Sequence, residues 1–340
     1  MKVLAIETSC DETSVAIVNG REVLSNIIDT QIEKHKIFGG VVPEIASRMH
    51  IEKINYCIKE ALQTANIKLN DIDIIAVTYG PGLVGALLVG LSAAKAIAFM
   101  ADKPLVGVHH IEGHIAANYL EHPTLEPPFL CLVVSGGHTH LVNVLSYTEF
   151  DIVGKTKDDA VGEAYDKVAR TIGLKYPGGP KVDELAKLGD PNSIQFPKAM
   201  INTGYDFSFS GIKSAVLNYV NSATMKQQTI NNADVAASFQ KTVVDILTHK
   251  TIKYATEHNI KNIAIAGGVA ANSTLRMQMK ELAEENGLTL YYPSLKYCTD
   301  NAAMIGVQGY YQYKESITSN MRLNAIANIA VGTKPSTGFN

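Results

Sequence analysis

The chain has 340 residues, 46% of them hydrophobic and 19% charged, which is ample for a large interior and too long for one ordinary core, so two domains are expected. A formal net charge of −3 and a pI near 6.4 give no global attraction to a polyanion, and nucleic-acid binding would need a local basic patch or a basic partner. The cysteines Cys10, Cys57, Cys131 and Cys298 are scattered, with no CxxC pair, which argues against a disulfide framework or a thiolate metal site. An early polar turn at the N-terminus and no run of membrane-span length complete the expectation of a soluble, cytoplasmic protein.

The chain opens with the apolar run MKVLAIET, the polar turn SCDE, the run TSVAIV, the hairpin signal Asn19-Gly20 and then REVLSNII. This order predicts three consecutive antiparallel strands. An amphipathic helix from about Pro43 to Ala65, a buried strand IDIIAVTY, a helix from about Val84 to Met100 and a strand PLVGV come next. After Pro127-Pro128 the pattern restarts with FLCLVVS, a tight turn at Gly136-Gly137, alternating THLVNVL and FDIVGK. Helices, the strand NIAIAGG and further helices complete it, and the polar segment Asn221 to Asn232 is the surface-loop candidate. The repeated element order predicts a duplicated α/β unit with a cleft between copies. The expected domains are 1–126 and 127–301, with 302–340 packing back on the first.

In VHHIEGHIA, His110 and His114 have the i, i+4 spacing that sets two imidazoles on one helix face, within reach of a shared metal. Satisfied hydrogen-bonding histidines are the plainer alternative. A zinc protease would carry its general-base Glu directly after the first His; that position is Ile111, and Glu112 points to the other face. A third ligand is offered by Asp300 in CTDNAAMIG, where an Asp before a helix is equally read as its N-cap.

Glycines mark further candidates. Ser135, Gly136 and Gly137 come after a buried strand, as a hairpin turn or as an anion cradle. In NIAIAGGVAANSTL a strand runs through Gly267-Gly268 into a helix whose start can face an anion or nucleotide, although this is not the GxGxxG of a dinucleotide site. Asn272 is a base or ribose contact or a cap, and Asp166 and Asp183 are ribose contacts or solvated helix charges. The SCDE turn carries Asp11 and Glu12, which can orient a cation, a phosphate or an amine nucleophile.

The motifs IETSCDET, GGVVPEIASR, GPGLVGALLVG, HHIEGH, LVVSGGHT, GEAYDKVAR, YPGGP, FSFSGIK, AGGVAAN and CTDNAAMIG occur together in this order. Over residues 1 to about 310 the set resembles the TsaD family, the bacterial tRNA N6-adenosine threonylcarbamoyltransferases of a universal family formerly called O-sialoglycoprotein endopeptidases. The resemblance implies an actin-like fold of the sugar-kinase and heat-shock ATPase superfamily. It implies transfer of threonylcarbamoyl from threonylcarbamoyl-AMP to N6 of adenosine 37 in tRNAs reading codons that begin with A. It also implies one divalent metal, Fe2+ with Zn2+ as alternative, on His110, His114 and Asp300. Carried over likewise, Val133, Val134, Ser135, Gly136, Gly137, Asp166, Gly179, Asp183 and Asn272 surround ATP or the acyl-adenylate, and Asp11 or Glu12 handles the amine proton. The implied partners are tRNA, the paralogue TsaB, the small ATPase TsaE and a separate synthase that supplies the adenylate.

Three rival readings stand beside this one. A small-molecule kinase of the same superfamily would need no paired histidines, a metalloprotease lacks its base, and a noncatalytic scaffold has no use for an intact metal triad.

Overall fold

In the computed structural model, which describes residues 1–335, the opening pattern forms the strands β1 (Lys2–Glu7), β2 (Glu12–Asn19) and β3 (Glu22–Thr30). All pairings among them are antiparallel, and β2 turns into β3 at Asn19-Gly20. The short helix α1 (Ile32–His35) leads to α2 (Pro43–Thr64), β4 (Ile74–Gly80), α3 (Val84–Met100), β5 (Leu105–His109) and α4 (His110–Ala116). β4 adds to β1 and β5 to β4, both parallel, giving the sheet order β3-β2-β1-β4-β5.

The same order is built a second time. β6 (Phe129–Val134), β7 (Thr139–Val144) and β8 (Phe150–Lys155) are succeeded by α5 (Val161–Thr171), α6 (Gly178–Ala186), α7 (Ser210–Met225) and α8 (Asn232–Glu257). Then come β9 (Asn262–Ala266), α9 (Ser273–Glu285) and β10 (Thr289–Tyr291). The second sheet runs β10-β9-β6-β7-β8, with β9 parallel to both of its neighbours. Read from its other edge, this is the first sheet's order, with β6 to β8 in place of β1 to β3 and β9 and β10 in place of β4 and β5. The chain closes with α10 (Leu295–Cys298) and α11 (Ala302–Lys314).

β1 reads as a continuous apolar run because both faces of its sheet are covered. Leu4 and Ile6 pack with Ile54 and Cys57 of α2 and Leu91 of α3. Val3 and Ala5 pack with Ala302, Met304 and Ile305 of α11. Each fully buried Leu or Ile contributes roughly 1.5–3 kcal/mol by leaving water.

The chain divides into two compact units: Met1–Pro127 with Val144–Asp151 and the described residues from Pro293 on, and Pro128–Asn143 with Ile152–Tyr292. Asp300 therefore belongs to the first unit. Residues 336–340, the end of the segment expected to pack back on the first domain, lie outside the described residues. The expected loop at Asn221 to Asn232 is shorter than its polarity suggests. Residues 221–225 continue α7 as a solvent-facing turn anchored by the buried Ala223, and α8 already begins at Asn232. Among the described residues no helix is long and apolar enough to cross a membrane.

Candidate metal centre and glycine loops

The end of β5 and the start of α4 set three histidines in a row of functions. His109 is the N-cap of α4: its Nδ1 accepts from Ile111 N at 3.1 Å, and its Nε2 donates to Ile329 O at 3.2 Å. The plain hydrogen-bonding reading thus holds for His109. His110 is hydrogen-bonded at Nδ1 alone, and His114 at neither nitrogen. His110 and His114 lie on one helix face with ring centroids 4.6 Å apart, and both are buried.

Asp300 completes a trio with them. The ligand atoms of His110, His114 and Asp300 all lie within 4.8 Å of one another. The N-cap of α11 is the neighbouring Asn301, whose side chain accepts from Met304 N at 3.1 Å. Asp300 is therefore not the cap, and its Oδ1 stands 3.5 Å from His110 Nε2 and 3.2 Å from His114 Nε2. By distance the second contact passes for a hydrogen bond; by direction it does not, and neither ring nitrogen of His114 has a hydrogen-bond partner. A fully buried imidazole with both nitrogens unsatisfied is costly. Two imidazoles and one carboxylate converging on a point are the donor set of a divalent transition metal, and the trio fits one.

The two rings titrate in opposite directions. Burial opposes charge on His110, but the carboxylates of Asp300 and Glu7 outweigh it and push His110 up to about 9. Burial holds His114 below the ordinary imidazole value, with His110 alongside adding to the effect. Ligation needs a lone pair on each ring, so a cation held here would displace the proton that the two carboxylates favour on His110.

Gly113 weakens helix propensity in the middle of this short helix, and packing explains it. A Cβ at Gly113 would stand 2.6 Å from Ile305 Cδ1, so α4 and α11 approach as closely as they do because position 113 has no side chain. Glu112 faces away from the trio, as the spacing predicts. Its Oε1 accepts from Gly332 N at 3.0 Å, and burial pushes its carboxyl up to about 8.

The turn between β1 and β2 is held from several sides. Leu83 N donates to Ser9 O at 2.8 Å, His50 Nε2 to Cys10 O at 3.0 Å, and Gln31 N to Asp11 O at 3.0 Å. Asp11 is buried at 7% exposure, and Glu12 accepts from Thr30 Oγ1 at 3.2 Å. Burial, with the Asp11 and Asp300 charges nearby, holds the Glu12 carboxyl well above the usual range. Burial and the same acids raise the Cys10 thiol, so it is no thiolate nucleophile.

One residue of this region had no spacing signature. Glu7, fully buried at the end of β1, accepts from Thr78 Oγ1 and Ser9 N at 2.5 Å each and lies 3.0 Å from His110 Nδ1. The available signal was the oddness of an acid closing an otherwise apolar strand.

The second unit carries the glycine loops. Ser135 is buried; its Oγ accepts from His138 N at 3.2 Å and its carbonyl from Gly162 N at 3.2 Å. Gly136 and Gly137 are exposed, with open space where side chains would stand. Val133 and Val134 are fully buried in β6, so what they can offer a ligand is backbone. Gly267 has φ +90°, and a Cβ there would lie 2.4 Å from Val134 O, so the loops after β6 and β9 meet backbone to backbone.

Asn272 does cap α9, accepting from Leu275 N at 2.9 Å, and its amide also donates to Gln240 Oε1 at 2.8 Å. Asp183 accepts from Ser273 N at 3.1 Å, Ser273 Oγ at 2.9 Å and Gln240 Nε2 at 2.9 Å, so acid and amide of the expected set meet at the start of α9. Asp166 accepts from Gly178 N at 2.7 Å and fixes the turn next to Gly179, beside which a Cβ would meet open space. Gln240, buried on α8, is the hub that sequence reading missed; its partners are 32 to 75 residues away along the chain.

Solved structures share this architecture. The full-length HypF crystal structure in its phosphate- and nucleotide-bound form matches at TM-score 0.62 and 16% identity, over 92% of this chain and 46% of that one. The (R)-2-hydroxyglutaryl-CoA dehydratase component A of Acidaminococcus fermentans matches at TM-score 0.54 and 15% identity, over 92% and 99%. At such identities the likeness speaks for the fold alone, a duplicated actin-like α/β architecture. A protein of Clostridioides difficile strain 630 named tRNA N6-adenosine threonylcarbamoyltransferase is 59% identical over 330 residues, 96% of this chain and 98% of that one. A protein of the same name from Clostridium novyi strain NT is 57% identical over 98% of this chain and 99% of its own length. The family model described as TsaD, tRNA N6-adenosine threonylcarbamoyltransferase, matches residues 22–307. The chain belongs to the TsaD family of tRNA N6-adenosine threonylcarbamoyltransferases.

Proposed function

We propose that the chain transfers threonylcarbamoyl from threonylcarbamoyl-AMP to N6 of adenosine 37 in tRNAs reading codons that begin with A, forming t6A. The observation that carries the assignment of this site is the convergence of the half-buried Asp300 on the buried His110 and His114, with neither nitrogen of His114 hydrogen-bonded. An exocyclic adenine amine is a weak nucleophile, so the carbonyl arrives activated as a mixed anhydride. The N6–C bond forms, the C–O bond to phosphate breaks, AMP leaves with the bonding pair, and the amine gives up a proton. What remains for the protein is positioning and charge stabilisation.

The open backbone at Ser135, Gly136 and Gly137 suits the phosphate, while Asp183, Asn272, Asp166 and Gly179 are assigned to the nucleotide, with Val133 and Val134 supporting the loop from β6. Bound at His110, His114 and Asp300, Fe2+, or Zn2+ in its place, supplies a Lewis-acid anchor for the threonyl carboxylate and hydroxyl. Asp11 orients the amine or accepts its proton, with Glu12 as the alternative acceptor. Replacing Asp11 by Ala should spare acyl-adenylate binding and cut turnover; retained turnover would remove it from the mechanism.

The net charge of −3 supports dependence on partners, because phosphate neutralisation supplies most nonspecific RNA affinity. We assign that role to TsaB and TsaE in the cytoplasm, with the adenylate coming from a separate synthase. The test is transfer of labelled threonine onto tRNA with synthase, TsaB and TsaE supplied, comparing the protein with its His110→Ala variant. Loss of incorporation in the variant is expected. Equal incorporation would make the histidine structural, and no incorporation by either would favour a kinase.

A further inference from the structure

We infer that Glu7 is a positioning residue for the metal centre, which fixes His110 with its proton on Nδ1 and its Nε2 turned to the metal, and ties that ring to the turn bearing Asp11 and Glu12. The inference rests on the metal reading of the trio. The carboxylate has no contact with the trio's centre; it acts through the far side of one ring.

Each oxygen of Glu7 is engaged. Oε1 accepts from Ser9 N at 2.5 Å; Oε2 accepts from Thr78 Oγ1 at 2.5 Å and faces His110 Nδ1 at 3.0 Å. Ser9 Oγ lies 3.2 Å from the same Nδ1. A carboxylate ionised in place can only accept, so the ring nitrogen facing it must donate. With Nδ1 donating, Nε2 is left with its lone pair, and this is the nitrogen that stands 3.5 Å from Asp300 Oδ1. A carboxylate on the outer nitrogen of a ligating histidine fixes the ring's orientation and raises its basicity.

The same carboxylate also holds the turn. Ser9, the first residue of SCDE, places its backbone N–H on Oε1, while His110 takes Oε2 of the same group. One rigid carboxylate therefore spaces the imidazole from the loop that presents Asp11. Thr78, at the end of β4, holds that carboxylate from the side.

Glu7→Gln tests this with almost no change of shape. An amide has one acceptor oxygen, and either way round its NH2 meets a donor, Ser9 N–H or His110 Nδ1–H. Titration of the intact metal-free protein with Co2+, monitored by visible absorbance, should give one site per chain and an affinity about 10- to 100-fold weaker in the variant. In the Zn2+-loaded unaltered protein, long-range proton–nitrogen NMR should find the His110 proton on Nδ1. Equal Co2+ affinity in a folded Glu7→Gln protein, or a proton on Nε2, overturns the role of Glu7. A variant that fails to fold leaves the NMR result to decide. If the unaltered protein takes up no Co2+, the metal reading itself falls, and this inference with it.

Discussion

The two functional regions solve opposite problems with opposite materials. In the first unit, long side chains converge: two imidazoles and a carboxylate stand within 4.8 Å, in a shell so dry that His114 is 1% exposed. In the second, side chains withdraw: Gly136, Gly137 and Gly179 leave open space, and the surrounding acids and amides are spent on one another. A metal wants lone pairs from side chains already dehydrated, whereas a phosphate wants backbone N–H groups it can approach without a Cβ in the way. The duplicated fold thus gives both units the same strand order, and the difference in chemistry lies in the turns and helix starts beyond the strand ends.

If that contrast is right, the two regions can be broken separately. The largest effect expected is from His114→Ala, which removes one of three ligands and should lower divalent metal affinity at least about 100-fold, while leaving nucleotide affinity unchanged. Calorimetric titration with Co2+ and with ATP reads both quantities on one sample. Parallel loss of the two affinities would mean that the regions are not independent.

Gly267→Ala attacks the other region. The backbone there sits at φ +90°, and the new methyl would stand 2.4 Å from Val134 O. The backbone would have to move, at a cost of about 2–4 kcal/mol by strain and overpacking together. Urea unfolding should report that loss, with nucleotide binding weakened and Co2+ binding kept. A midpoint within error of the unaltered protein would show that the loop relaxes freely.

Sequence reading placed β1 to β9 and the helices α2 and α3 because their signals are local, but neither the short strand β10 nor the bounds of α8. Asn19-Gly20 marks the β2–β3 hairpin, and apolar runs bounded by turns mark β1, β4 and β6. His110 and His114 were legible for the same reason, since helical spacing puts them on one face before any fold is known. Asp300 was ambiguous from sequence, because a cap and a ligand look alike until the structure shows Asn301 taking the cap. Glu7 and Gln240 were not legible. Their partners are remote in sequence, 71 to 103 residues for the Thr78 and His110 contacts of Glu7, and no periodicity encodes such contacts. The segment of Ile326, Ala327 and Ile329 was expected to pack back on the first domain, but its path past β4 and β5 was not legible; it forms no regular element and is held by backbone bonds to Tyr79 and Gly82 and by the His109 side chain.

Glu112 offers the smallest effect and a test of whether the two faces of α4 do different work. It is 4% exposed, and its Oε1 accepts from Gly332 N. Burial moves its carboxyl from the usual 4.5 to about 8. The folded protein therefore holds this proton more tightly than the unfolded chain does between those two values. Over that window the native state binds more protons, so stability falls as pH rises, and the loss is complete above about 8. Glu112→Gln cannot ionise but keeps an oxygen for Gly332 N–H. It should be the more stable protein at pH 9, by on the order of 2 kcal/mol once relaxation and water entry temper the full shift, and the gap should close toward pH 5. Denaturant midpoints at the two pH values measure this. A gap that does not change with pH would show that Glu112 ionises without penalty, and that this face of α4 is wetter than its burial indicates. A closing gap, with Co2+ affinity unaltered in the variant, would separate the structural face of the helix from the face that carries His110 and His114.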